Sequence, residues 1–216
     1  MGQNPMIARM VLIASVIAGV SYIWSWGLPL SEPQSLAWKG AGVGLLAVYA
    51  ALRARDLDGW LITAVMAFGA LGDVLLGAAG LIVGAVAFLI GHLIAMALYW
   101  RNRRAVTTLS QRLLAIVLVP TTVGIAFLLP ADRAGAPGIA VYALGLAVMA
   151  AFAWVSRFPR YRVGAGALMF VVSDLLIFAR EGALAGAAWI GLAIWGLYYF
   201  GQMLICIGVT STLEKR

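Results

Sequence analysis

Charge is scarce in this chain, and so are the residues from which cross-links and metal centres are built. Of its 216 residues only 11% are charged, one is histidine and one is cysteine. The lone Cys206 excludes an internal disulfide and reads as a small packing residue within the last apolar run. With His92 as the only histidine there is no His-x-x-x-His pair. A zinc-dependent lipid hydrolase using Asp, Asp and His ligands is therefore not expected, and the sequence calls for no metal or other cofactor. So little polar surface also excludes a water-soluble globule.

What is abundant is apolar. Hydrophobic residues make up 64% of the chain and its mean hydropathy is +1.01, the composition of a polytopic membrane protein. A span needs about 20 apolar residues to cross about 30 Å of hydrocarbon. Eight runs qualify, near residues 6–26, 35–52, 58–77, 81–100, 111–130, 137–155, 163–180 and 186–208. Hydrocarbon offers the backbone no hydrogen-bond partner, so each run should be a helix. The connections are too short for a soluble domain, which makes the expected fold a single all-α transmembrane domain over residues 1–216. Breaks are marked by Pro29 and Pro33, the RARDLD stretch, Gly77 to Gly80, the RNRR cluster, Pro130 to Pro137, and RFPRYR. The first run lacks a small-x-small cleavage site and reads as a helix rather than a signal peptide. MGQNPM lacks the Ser or Thr of a myristoylation signal.

The basic residues test the helix count. With eight spans and the N-terminus inside, one side holds Arg9, Arg53, Arg55, Arg101, Arg103, Arg104, Arg112, Arg157, Arg160, Arg162, Lys215 and Arg216. The other holds only Lys39, Arg133 and Arg180. Such a bias places both termini in the cytoplasm. The net charge of +7 is then an orientation signal, since no surface domain exists to carry nucleic-acid binding. Trp24, Trp26, Trp38, Trp60, Trp100 and Trp189 fall near span ends, as an aromatic belt requires.

Within the spans lie two carboxyls, Asp73 in AFGALGDVLLGA and Asp174 in LMFVVSDLLIFA. A charge at mid-membrane costs roughly 2.5–3.5 kcal/mol on insertion scales, so such residues are usually tied to function. Both are expected about two-thirds of the way along helices that run from inside to outside, hence in the outer half of the membrane. His92 on the fourth helix, with Tyr198, Tyr199 and Gln202 on the eighth, lies at comparable or slightly deeper levels. Gly69 and Gly72 beside Asp73, Gly84 and Gly91 ahead of His92, and Gly164 with Gly166 at the start of helix seven favour close helix packing.

Taken together, GDVLLG, GAVAFLIGHLIAMALYW, GALMFVVSDLLIFAREG and WGLYYFGQMLI resemble the YhhN-like lysoplasmalogenase family of integral membrane proteins. The resemblance covers helices three, four, seven and eight. It implies hydrolysis of the vinyl ether bond of lysoplasmalogens to a fatty aldehyde and a glycerophospho-alcohol, with Asp73 and Asp174 as the central acidic pair. The substrate partners are thus a lysophospholipid and water, in contact with membrane lipids and with no nucleic acid.

Two buried carboxyls suit that reaction. A vinyl ether resists nucleophiles but hydrolyses once its terminal alkene carbon is protonated, because the resulting oxocarbenium ion captures water. Desolvation and a neighbouring like charge lead a close pair to share one proton near neutrality, so one Asp can be acid while the other is base. Which is which stays open. His92, Ser173, Tyr199 and Gln202 form the supporting polar set, able to hydrogen-bond water or substrate oxygens; a structural hydrogen bond would equally explain His92 and the Tyr199–Gln202 pair. Arg180 closes helix seven six residues beyond Asp174, about 9 Å along a helix, and Lys39 opens helix two. Either can bind the substrate phosphate, or simply snorkel to the interface.

Other readings use the same residues. A buried structural pair could join Asp174 to Arg180. In a proton-coupled transporter the Asp, His and Tyr side chains form a relay, and the third-helix position of each Asp in its four-helix half hints at a parallel repeat. For an intramembrane aspartic protease, Ala70-Leu71-Gly72-Asp73 misses the first glycine of Gly-x-Gly-Asp, and no Tyr-Asp or Pro-Ala-Leu motif accompanies it. Ala, Gly and Arg usage points to a bacterial inner membrane, with the site toward the outer leaflet.

Overall fold

The computed structural model describes residues 5–216; the myristoylation reading therefore concerns positions that lie partly outside the described residues. Eight long helices are present: α1 (Pro5–Ser25), α2 (Glu32–Arg53), α3 (Leu57–Ala78), α4 (Leu81–Arg101), α5 (Leu109–Leu128), α6 (Ala136–Val155), α7 (Ala165–Arg180) and α8 (Ile190–Leu213). A π-helical turn, Arg160–Gly164, leads into α7. Each span is long and apolar enough to cross a membrane, α7 together with that turn. Among the described residues no strand forms; Arg103 with Ser156 and Pro130 with Gly182 make only single β-bridges.

Helix ends follow local chemistry. Ser31 caps α2 in a capping box with Gln34, which brings Pro33 inside the first turn of the helix rather than before it. The same device, Thr108 with Gln111, starts α5. Asp56 accepts from the Gly59 amide at 2.8 Å to start α3. Gly77 belongs to α3, and the turn into α4 falls on Ala79 and Gly80, the latter at φ +87°, where glycine carries no steric penalty. The last helix starts at Ile190 rather than 186, because the apolar stretch 182–189 is a turn with Gly186 at φ +80°. Trp38 also departs from expectation. It sits within α2 and donates its indole N–H to Ser21 Oγ at 3.0 Å, whereas Trp24, Trp26, Trp60, Trp100 and Trp189 are exposed near span ends.

The fold divides into two compact units. One holds α1, α2, α3, nearly all of α4 and the end of α8 from Val209 onward; the other runs from Tyr99 to Gly208. In the first, α2 packs between α1 and α3. Its α8 end is tied down by Glu214, which accepts from Arg53, and by Arg216, which meets the buried Asp58 at 3.2 Å. In the second, α5 and α6 pack together and both touch α7, with Ala126, Ala143 and Phe178 as a small sealed core. Arg104 there crosses from the α4–α5 connection to the Ser156 carbonyl at 2.6 Å.

Candidate functional site

In the first unit glycine sets how the helices meet. A Cβ on Gly72 would lie 2.8 Å from the Phe88 ring, one on Gly84 2.8 Å from the Leu76 backbone, and one on Gly91 3.3 Å from Phe68. These contacts fix α3 and α4 as a close antiparallel pair with Gly72 level with Phe88 and Gly91 level with Phe68. Asp73 and His92 are both buried in this unit. They are not level, however: His92 sits opposite Phe68, five residues from Asp73, an axial offset of about 7.5 Å.

The level of Asp73 is shared by other side chains. Leu36 meets Gly77 and Gly40 meets Val74, so α2 runs antiparallel to α3 and Lys39 falls within a turn of Asp73. Lys39 is half-buried, two turns inside α2, where a side chain at the helix opening was expected. Tyr22 of α1 lies within electrostatic reach of Asp73. Asp73, Lys39 and Tyr22 thus occupy one stratum of the unit.

In the second unit, Asp174 is buried on α7 and its Oδ2 accepts a hydrogen bond from the Tyr142 hydroxyl on α6 at 2.6 Å. Its Oδ1 takes no hydrogen bond among the described residues. Tyr142 is itself seated edge-on against Phe178, with ring centroids 6.2 Å apart, and packs on the Ala126, Ala143 and Phe178 core as Leu129 and Leu175 do. The neighbouring Ser173 hydroxyl donates to the Ile194 carbonyl at 3.0 Å, tying α7 to α8. Sequence reasoning missed Tyr142. A signal existed, since Tyr142 is the only hydroxyl on α6 and lies well inside it, away from the ends where belt aromatics belong.

The register of α7 on α8 locates the remaining residues. Gly166 meets the Gly201 carbonyl, where a Cβ would come within 2.6 Å, Phe170 meets Tyr198, and Ser173 meets Ile194. Asp174 is therefore level with Ile194. Tyr198 and Tyr199 lie about one turn from it along the axis, and Gln202 about two turns, roughly 12 Å. Tyr199 stacks on Trp195 at 6.1 Å, and Gln202 is buried with its Oε1 left without a hydrogen-bond partner among the described residues. An unpartnered buried carbonyl is a place for a water or a substrate donor.

Arg180 ends α7 exposed, and its ion pair is with the adjacent Glu181 at 3.7 Å. The partner of Asp174 is Tyr142, so the pairing of Asp174 with Arg180 that the sequence allowed is replaced by a phenol–carboxylate contact. The structure thus brings together Asp174, Tyr142 and Ser173 in one unit, and Asp73 with Lys39 and Tyr22 in the other; it keeps His92 and Gln202 a turn or two away from the carboxyl on their own unit.

No curated protein and no solved structure gives a significant match to the chain. The sequence model of the YhhN family matches residues 34–209, a stretch that contains both intramembrane aspartates, and the chain belongs to that family.

Proposed function

We propose that this protein is a lysoplasmalogenase-type ether hydrolase, using Asp73 and Asp174 as its acid–base pair. What supports the reading is YhhN membership over a stretch containing two carboxyls, each buried within a membrane span. One carboxyl, in its acid form, gives its proton to the terminal alkene carbon, and the alkene π pair forms the new C–H bond. The ether oxygen shares a lone pair with the adjacent carbon to make the oxocarbenium ion. Water adds to that carbon and passes a proton to the ionised carboxylate. The hemiacetal then collapses, the C–O bond to glycerol breaks, and the leaving oxygen is protonated. One water is consumed and one aldehyde and one alcohol form, with no change in oxidation state overall.

A substrate placement with its phosphate at Arg180 is supported by the geometry of α7. Arg180 lies six residues beyond Asp174 on a continuous helix, about 9 Å, the span between a lysolipid phosphate and its vinyl ether. The same geometry favours Arg180 over Lys39 as the phosphate contact, because Lys39 sits at the level of Asp73 itself. Tyr199 and Gln202 hydrogen-bond water or substrate oxygens deeper along α8. With its termini in the cytoplasm, the protein would present this site to the outer leaflet of a bacterial inner membrane.

Turnover in deuterated water tests the chemistry. Protonation at carbon places one deuterium beside the aldehyde carbonyl; an aldehyde without that label contradicts the mechanism. A proton-coupled transporter is the second reading, favoured by the presence of one buried Asp on the third helix of each compact unit's helix series. It releases no aldehyde.

A further inference from the structure

We propose that the end of the second unit formed by the α4–α5 and α6–α7 connections binds the headgroup of an anionic phospholipid of the surrounding membrane. The proposal uses residues 99–208 alone and does not depend on the activity that the aspartates serve. Charge, rigidity and exposed apolar surface carry it together.

Arg101, Arg103 and Arg104 lie where α4 gives way to its connection, and Arg157, Arg160 and Arg162 lie between α6 and α7. Arg112 joins them from the first turn of α5. Every cation in residues 99–208 is an arginine, and the carboxyls of that stretch lie elsewhere: Asp132 and Glu181 in the connections at the opposite end, Asp174 within α7. This end of the unit therefore has no carboxyl of its own to offset its charge. A guanidinium also presents two parallel N–H donors to a phosphate, which an ammonium does not.

Orientation in a membrane needs only cations on one side, not a frame that holds them, and here a frame is present. Arg103 and Ser156 form a single antiparallel β-bridge. The Arg157 amide donates to the Asn102 carbonyl at 2.7 Å, and Arg104 Nε donates to the Ser156 carbonyl at 2.6 Å. Asn102 and Ser156 are buried at this junction, while Arg103 and Arg157 are exposed beside it, close enough to serve one headgroup. Two guanidinia are steadied further by rings, Arg103 over Trp100 and Arg160 over Tyr161, each 5.0 Å from the centroid.

The apolar side chains beside these arginines identify the anion as a lipid. Val106 in the α4–α5 connection is 81% exposed and Tyr161 in the π-helical turn 75%. Leu109, Leu113 and Ile116, spaced four and three residues apart, share an exposed face of α5 that runs into the span beside Arg112. A free phosphate would leave this surface uncovered. A phospholipid covers it with acyl chain while its phosphate meets the guanidinia, the arrangement that basic pockets at the ends of membrane helices offer to anionic headgroups.

The test is lipid titration of the full-length protein in neutral detergent, read by native mass spectrometry as the number of lipids retained. Phosphatidylglycerol is compared with phosphatidylcholine, and inorganic phosphate is added as a competitor. Wild type is set beside Arg103→Gln/Arg157→Gln and beside Arg9→Gln/Lys215→Gln, which removes the same charge from the first unit. The expected result is a preference of wild type for phosphatidylglycerol that falls roughly 10- to 30-fold in Arg103→Gln/Arg157→Gln and is kept in Arg9→Gln/Lys215→Gln. No preference in wild type overturns the proposal, as does an equal loss in both double variants, which would make net charge the cause. Displacement of the lipid by millimolar phosphate would make the site one for a free anion and overturn the lipid assignment. Should Arg103→Gln/Arg157→Gln fail to fold, Arg162→Gln takes its place, since that guanidinium is exposed and makes none of the bonds that join the connections; it should lose roughly 5-fold, and an unchanged preference there would count against the surface.

Discussion

Side chains that look alike in the sequence separate once their partners are known. Ser173 and Asp174 are neighbours in a single motif, yet the Ser173 hydroxyl is already committed to the Ile194 carbonyl while Asp174 keeps a free oxygen. Ser173→Ala should therefore cost stability, roughly 1 kcal/mol by thermal denaturation in detergent, and leave kcat near wild type. Arg180→Gln should do the reverse. With its guanidinium exposed beyond Asp174, removal should raise KM for a lysolipid about tenfold and leave the melting temperature unchanged; unaltered lysolipid affinity would dispose of the phosphate contact. The two carboxyls were legible from sequence because charge inside an apolar run is costly and conspicuous. Tyr142 was harder to read: a lone hydroxyl well inside α6 hinted at it, but only the packing of α6 on α7 reveals where that hydroxyl points.

Among elements, the helix pairs that carry the aspartates are set by glycine. The approach of α7 to α8 leaves no room at Gly166, where a Cβ would stand 2.6 Å from the Gly201 carbonyl, a backbone atom that cannot swing aside. Gly196, on α8 as well, has nothing within 4 Å. Gly166→Ala is accordingly expected to destabilise by roughly 1–3 kcal/mol and to lower activity by displacing α8, and Gly196→Ala to do neither. Equal melting temperatures for the two variants would refute the close-packing account. Helix count and most boundaries were readable, because eight apolar runs separated by polar or Gly/Pro breaks leave few alternatives. Turn chemistry was harder. The apolar residues of 182–189 extend the hydropathy signal of α8 without being helical, and the π-helical turn before α7 has no hydropathy signature at all.

For the whole molecule, the proposed orientation rests on the distribution of basic residues. The arrangement with both termini in the cytoplasm predicts that, in a Cys206→Ala background, Arg133→Cys is labelled by an impermeant maleimide in intact cells and Arg157→Cys only after permeabilisation. The opposite pattern would invert the protein and move its site to the inner leaflet. Because Cys206 is the sole cysteine and is buried, the background substitution costs little interpretive clarity. Each compact unit contributes one buried aspartate, Asp73 beside Lys39 and Tyr22, Asp174 beside Tyr142. We propose that these two carboxyls form the acid–base pair of a vinyl-ether hydrolase.

The most direct measurement of that claim uses detergent-purified protein with a vinyl-ether lysophospholipid and its ester-linked analogue, alongside Asp73→Asn and Asp174→Asn. Aldehyde and fatty acid release are followed together. The account predicts aldehyde from the vinyl ether, no fatty acid from the ester, and loss of turnover by at least about 10³-fold in both folded variants. Fatty acid release, or full turnover in either variant, would contradict it.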